Sequence, residues 1–124
     1  MINIGLITAK QATLRPNSWA VYDQTSNKRI TFFELDEMVK KTANGLLSLG
    51  LKKGDRVSML SQNTIEFLAL FFACGRVGLV AHALNWRLGS DELTQILKNG
   101  EPKVVITQGQ FQNVVSCLLY TCPS

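Results

Sequence analysis

"KKGDRVSMLSQN", residues 52–63, places two lysines and a Gly-Asp pair directly before a run of apolar residues. Glycine and cations at the mouth of a strand are the ingredients of a phosphate-binding loop and equally of a plain turn. Order along the chain separates the two. A Walker-type loop, G-x-x-x-x-G-K-[ST], or a dinucleotide fingerprint, G-x-G-x-x-G, follows a strand and opens a helix whose free N–H groups receive the phosphate. Here Gly50 and Gly54 come before the strand "DRVSMLS" (55–61), and neither pattern occurs anywhere in the chain. Gly50 is therefore expected to end a preceding helix, and Gly54-Asp55 to turn the chain into the strand. The stretch belongs to a scaffold.

On its N-terminal side, residues 4–15 ("IGLITAKQATLR") suit a short helix stopped by Pro16. "WAVYD" (19–23) and "RITF" (29–32) flank the polar "QTSNK" and predict a hairpin. Thr31 and Glu34 have capping-box spacing, and Leu35, Met38, Val39, Leu46 and Leu47 recur at helical intervals up to Gly50. Asp36 and Glu37 stand four residues before Lys40 and Lys41, the spacing of exposed ion pairs along a helix.

On its C-terminal side, Asn63 and Glu66 repeat the capping-box pattern ahead of "TIEFLALFFACGRV", a helix apolar on nearly every side. "GLVAHAL" (78–84) reads as a buried strand, Ser90 to Asn99 as a helix stopped by Gly100, and "KVVIT" (103–107) as a further strand. The fold class is α/β: an N-terminal β-hairpin and helix, then a β-α-β-α-β unit whose strands must be parallel and covered by helices.

Composition excludes several classes. The chain has 124 residues, 46% hydrophobic and 18% charged, enough for one compact domain or part of a larger one. The net charge of +4 comes from scattered pairs (Lys28/Arg29, Lys40/Lys41, Lys52/Lys53), so bulk nucleic-acid binding is not favoured. Met1 to Lys10 lacks the pattern of a secretory leader. The apolar run Phe67–Gly75 is broken by Arg76, short of the roughly 20 residues a membrane span needs. These features point to the cytoplasm, with free thiols at the three cysteines. Cys117 and Cys122 do not have metal-ligand spacing, and His82 has no evident partner for metal or general-base chemistry. Cys74, inside the apolar helix, reads as a small core residue, and Trp86 and Arg87 as a structural pair at the surface.

"RITFFELDE" (29–37), "ANGLLSLGLKKGDRV" (43–57), "NTIEFLALFFACGRVG" (63–78), "LNWRL" (84–88) and "ELTQILKNGEPKVVI" (92–106) occur in an order and spacing that carry a resemblance. Together, over residues 5 to 108, they resemble the start of the adenylate-forming (AMP-binding) acyl-CoA synthetases, leaning towards fatty-acyl ligases of long or medium chain. The resemblance implies an incomplete portion of a large N-terminal domain. It also implies a parent enzyme that joins a carboxylic acid to ATP as an acyl-adenylate and then to coenzyme A as a thioester, with Mg on the phosphates. The motifs that carry this chemistry in the family lie later: a Ser/Thr/Gly-rich loop ending in lysine, an aromatic-Gly-x-Thr-Glu motif, a ribose-binding aspartate and a C-terminal lysine. No catalytic, cofactor-binding or metal-binding residue can be carried onto this chain, and no cofactor is expected to bind it alone. Ala83 stands where the family commonly has proline, and Gly89-Ser90 replaces a Thr-Pro helix start, at a cost of about 1 kcal/mol or less.

Two alternative functions stand beside this one: a non-catalytic interaction module on the same scaffold, and a small basic nucleic-acid-binding domain. The expected division is a partial synthetase domain at 1–108 and a divergent tail at 109–124. The tail's end, "CLLYTCPS", resembles a translated sequencing adapter, a reading preferred here to a divergent strand "VVSCLLY".

Overall fold

The computed structural model describes residues 4–61, 64–85 and 87–107. A 3-10 turn (Ile4–Leu6) leads into helix α1 (Ile7–Leu14). An antiparallel hairpin follows, β1 (Trp19–Asp23) and β2 (Lys28–Thr31), with Asn27 at φ 55° in its turn. Arg29 lies over the rings of Trp19 and Tyr22, 5.9 and 4.9 Å from their centroids, on the outer face of the hairpin. Helix α2 (Phe32–Ser48) starts at the expected capping box. The Glu34 N–H donates to Thr31 Oγ1 (3.2 Å), while the Thr31 N–H donates to Glu34 Oε1 (3.0 Å). Leu35, Val39, Ala43 and Leu46 form its buried stripe, whereas Leu47 is half exposed.

The remaining elements are β3 (Arg56–Leu60), α3 (Ile65–Arg76), β4 (Val80–Leu84), α4 (Ser90–Gly100) and β5 (Val104–Thr107). The three strands form one parallel sheet in the order β4-β3-β5. Arg56 to Leu60 align with Val80 to Leu84 on one side, and Val57 to Leu60 with Val104 to Thr107 on the other.

Because β4 and β5 lie on opposite sides of β3, the usual right-handed crossovers carry α3 and α4 to opposite faces. Strand alternation then splits the core in two. Val57 and Met59 point into a cluster with Leu35, Val39 and Leu46 of α2 and Ile65, Leu70 and Ala73 of α3. Leu60 and Leu84 point the other way, onto Leu93 and Leu97 of α4.

Four local expectations need correction. The N-cap of α3 is Thr64, whose hydroxyl accepts the Phe67 N–H at 3.1 Å. Asn63 lies outside the described residues, and Glu66 makes an exposed ion pair with Lys28 (3.7 Å) instead of closing a box. Helix α4 runs through Gly100, and it is Glu101 that takes the left-handed conformation (φ 46°), donating its N–H to Leu97 O at 3.1 Å. Strand β4 is not buried throughout: Val80 and Ala83 are exposed, as befits a strand with β3 as its one neighbour among the described residues. Asp36 does pair with Lys40 at i,i+4 (3.7 Å), though it is itself buried, as described below, while Glu37 meets Lys40 at i,i+3 (3.2 Å) and not the expected Lys41.

Candidate functional site

The Lys52–Asp55 stretch is a closed turn. Asp55 donates its N–H to Lys52 O (2.9 Å), and the Asp55 carboxylate accepts the Lys52 N–H (2.8 Å). Gly54, at φ +91°, donates its N–H to Gly78 O (2.8 Å), and Gly50, at φ +83°, donates to Leu47 O (3.0 Å). Only glycine adopts such angles without strain, and these four amides are already spent on protein acceptors. The turn offers them to no phosphate.

His82 lies beside β3, its Nδ1 3.2 Å from Ser58 Oγ. A serine beside a histidine has the form of an activated nucleophile, but Ser58 is fully buried beneath α4, where no substrate reaches it. The pair instead ties β3 to β4, and the ring presses on Gly100, where an added Cβ would lie 3.3 Å from it. Arg56 Nη1 donates to Gly100 O (2.7 Å), placing a cation at the C-terminus of α4, where the helix dipole favours one. Cys74 is fully buried, and desolvation raises its thiol to about 11, so it is a core residue and a poor nucleophile. Trp86, Cys117 and Cys122 lie outside the described residues. Arg87 follows β4 in an exposed turn, its N–H bonded to Asn85 Oδ1 (3.0 Å). Among the described residues, no three His, Cys, Asp or Glu side chains converge as a metal site.

A groove of about 660 Å³ lies between α2, α3 and β5. Met59 and Ile106 form its floor, Leu46 and Leu49 one wall, and Phe67 and Leu70 the other. Ser61, Thr64 and Thr107, at the strand ends and the start of α3, supply its polar rim, and Glu66 is its charged group. Such a surface suits apolar matter. Sequence periodicity could not reveal it, because its walls come from three separate elements.

Another assembly also escaped the sequence. Arg76, ending α3, donates to Asp36 Oδ1 (2.6 Å), Thr8 Oγ1 (2.8 Å) and Gly5 O (2.9 Å). Thr8 Oγ1 in turn donates to Asp36 Oδ1 (3.0 Å), and Lys40 stands 3.7 Å from the other Asp36 oxygen. Asp36 is 5% exposed. Burial alone would push its pKa up, but the bonds from Arg76 and Thr8 and the charges of Arg76 and Lys40 outweigh it, so the pKa falls below the usual value. Three elements are pinned at one point.

A parallel sheet covered by helices on both faces, with Arg56 committed to a backbone carbonyl and Arg76 to a carboxylate, defines part of an α/β domain. The model of the AMP-binding enzyme family matches residues 8–121, and the chain belongs to that family. It is 36% identical over 106 residues to the long-chain-fatty-acid–CoA ligase FadD13 of Mycobacterium tuberculosis, a match covering 86% of this chain and 21% of that protein. It is 34% identical over 115 residues to a feruloyl-CoA synthase of Amycolatopsis, covering 93% of this chain and 23% of that protein. The inhibitor-bound N-terminal domain of FACL13 from Mycobacterium tuberculosis superposes with a TM-score of 0.90 at 33% identity, covering 94% of this chain and 29% of that one. The chain thus spans about a fifth of the curated relatives it matches.

Among the described residues, the groove gathers no set of cations for the phosphates of Mg-ATP or coenzyme A, the groups the family implies. The groove's charged group is the Glu66 carboxylate, the Gly50, Lys52, Gly54 and Asp55 amides bond protein acceptors, and Arg76 is held by Asp36.

Proposed function

We propose that this chain is the opening part of an ATP-dependent acyl-CoA ligase. The parent enzyme converts a carboxylic acid and Mg-ATP into an acyl-adenylate, then passes the acyl group to coenzyme A, acting in the cytoplasm in fatty-acid metabolism. The observation that carries this reading is the superposition on the FACL13 N-terminal domain over 94% of the chain, at 33% identity. The FadD13 match points to a fatty acyl group, while the feruloyl-CoA synthase match keeps aromatic acids within the class. Among the described residues no helix is long and apolar enough to cross a membrane. The role of residues 4–107 is to brace the sheet on which later segments build the reaction centre, and the chain alone is inactive.

Carboxylate-dependent exchange of pyrophosphate into ATP tests both halves. The 124-residue chain should give only the no-enzyme background with any fatty acid. The same chain extended by the complete open frame of its locus should exchange and should release a thioester when coenzyme A is added. Exchange by the short chain would overturn its inactivity; a complete frame that forms no adenylate from fatty or aromatic acids would overturn the ligase assignment.

A further inference from the structure

The N-terminal segment is attached in an unusual way. Of residues 5–14, only Gly5 and Thr8 are buried, and none of the ten contributes to either apolar core. Leu6, Ile7 and Leu14, which could have anchored the helix, face solvent. The segment lies against α2 and α3, and its side-chain hydrogen bonds to them gather at one place: Gly5 O and Thr8 Oγ1 on Arg76, and Thr8 Oγ1 on Asp36. Gly5 also sits so close to α3 that an added Cβ would fall 2.1 Å from the Arg76 backbone nitrogen.

We propose that residues 4–14 form a strap that lifts from the α2–α3 face as a unit while the sheet and the α2–α3 core stay folded, with Thr8 and Gly5 as its latch. Segments that bury little apolar area open at lower free energy than the core beneath them. The strap's eight-residue helix is also too short to persist alone, so lifting and unwinding are one event. The Asp36–Arg76 pair joins α2 to α3 directly at 2.6 Å and survives the opening. The latch is therefore a docking point that exists whether or not the strap is down. A strap of this kind gives the domain two surfaces on one face, one covered and one presenting a paired carboxylate and guanidinium.

Hydrogen–deuterium exchange, read peptide by peptide, tests this whether or not the chain associates. The test compares the 124-residue chain with its Thr8→Val and Gly5→Ala variants, both of which leave Asp36 and Arg76 intact. In the parent chain the α1 amides should exchange faster than those of α2 and α3. Thr8→Val removes a buried hydroxyl from a charged network and should accelerate α1 alone, about tenfold or more. Gly5→Ala should do the same by blocking close approach. Equal protection of α1 and α2–α3 in the parent chain would overturn the strap. So would variants that accelerate all three helices together, and an unchanged α1 in both variants would overturn the latch.

Discussion

Replacing Asp36 by alanine should be far more damaging than a helix-surface carboxylate warrants. The carboxylate is 5% exposed and accepts from Arg76 at 2.6 Å and Thr8 at 3.0 Å. Removing one member of a buried pair leaves the other charge without its counter-ion, at a cost of about 3–5 kcal/mol. The Arg76 side chain is 14% exposed and keeps Gly5 O as an acceptor, so the lower end applies, about 3 kcal/mol. With a urea slope of about 1–3 kcal/mol/M, the unfolding midpoint of the dilute chain should fall by about 1–3 M at unchanged slope. An exposed i,i+4 pair with Lys40 would be worth only about 0.3–0.5 kcal/mol. A loss within that smaller range would refute the buried clasp. Asp36→Leu combined with Arg76→Met, which removes both charges, should be less harmful than Asp36→Ala alone.

The same carboxyl predicts a pH dependence. Its pKa is lower in the folded chain than the ordinary 3.8, so its contribution is full above that value and lost as pH falls through the folded pKa. Wild type should therefore lose more stability than Asp36→Asn on acidification below about pH 4, and parallel acid curves would contradict this. For Cys74, with its thiol raised to about 11, iodoacetamide at pH 8 should label the native chain negligibly and the urea-unfolded chain fully, as read by peptide mapping; rapid native labelling would contradict its burial. The isolated chain should associate as concentration rises, because β4 and β5 each have one described strand neighbour and the groove exposes Leu49, Phe67 and Ile106. A sharp monomer by light scattering at all concentrations would count against that. Resequencing the locus should replace "CLLYTCPS" with a longer frame carrying a Ser/Thr/Gly-rich loop ending in lysine; recovery of the same tail and a stop codon in genomic DNA would end the adapter reading.

Much of the fold was legible because its signals are local. The Thr31–Glu34 box, the Gly50 stop and the alternating elements after Arg56 are each written within a few residues, and the structure follows them. Where legibility failed, distance was the cause. Asp36 and Arg76 are 40 residues apart, and Gly5 and Arg76 are 71 apart, so no spacing rule could pair them. Lys40, in the expected position, hid the burial of Asp36 behind an ordinary surface explanation. At α3, Asn63 and Thr64 are adjacent residues with similar capping chemistry, so spacing alone does not tell them apart, and Thr64 is the cap. At the end of α4, Glu101 takes the left-handed angle although Gly100 suits it better, because Gly100 is held inside the helix, against His82 and Arg56. The groove was invisible for the same reason as the clasp, since α2, α3 and β5 each contribute only part of it.

The strand order β4-β3-β5 has a consequence for how the domain is made. The ribosome releases β3 first, then β4, then β5, and both newcomers pair with β3, β5 passing over β4 to reach it. The sheet therefore widens from its middle in the order of translation, and no strand has to be inserted between two already joined. Each addition also brings its own covering helix, α3 before β4 and α4 before β5, so one face of the template is roofed before the other is needed. Among the three described strands, no pairing has to be undone for the next to form.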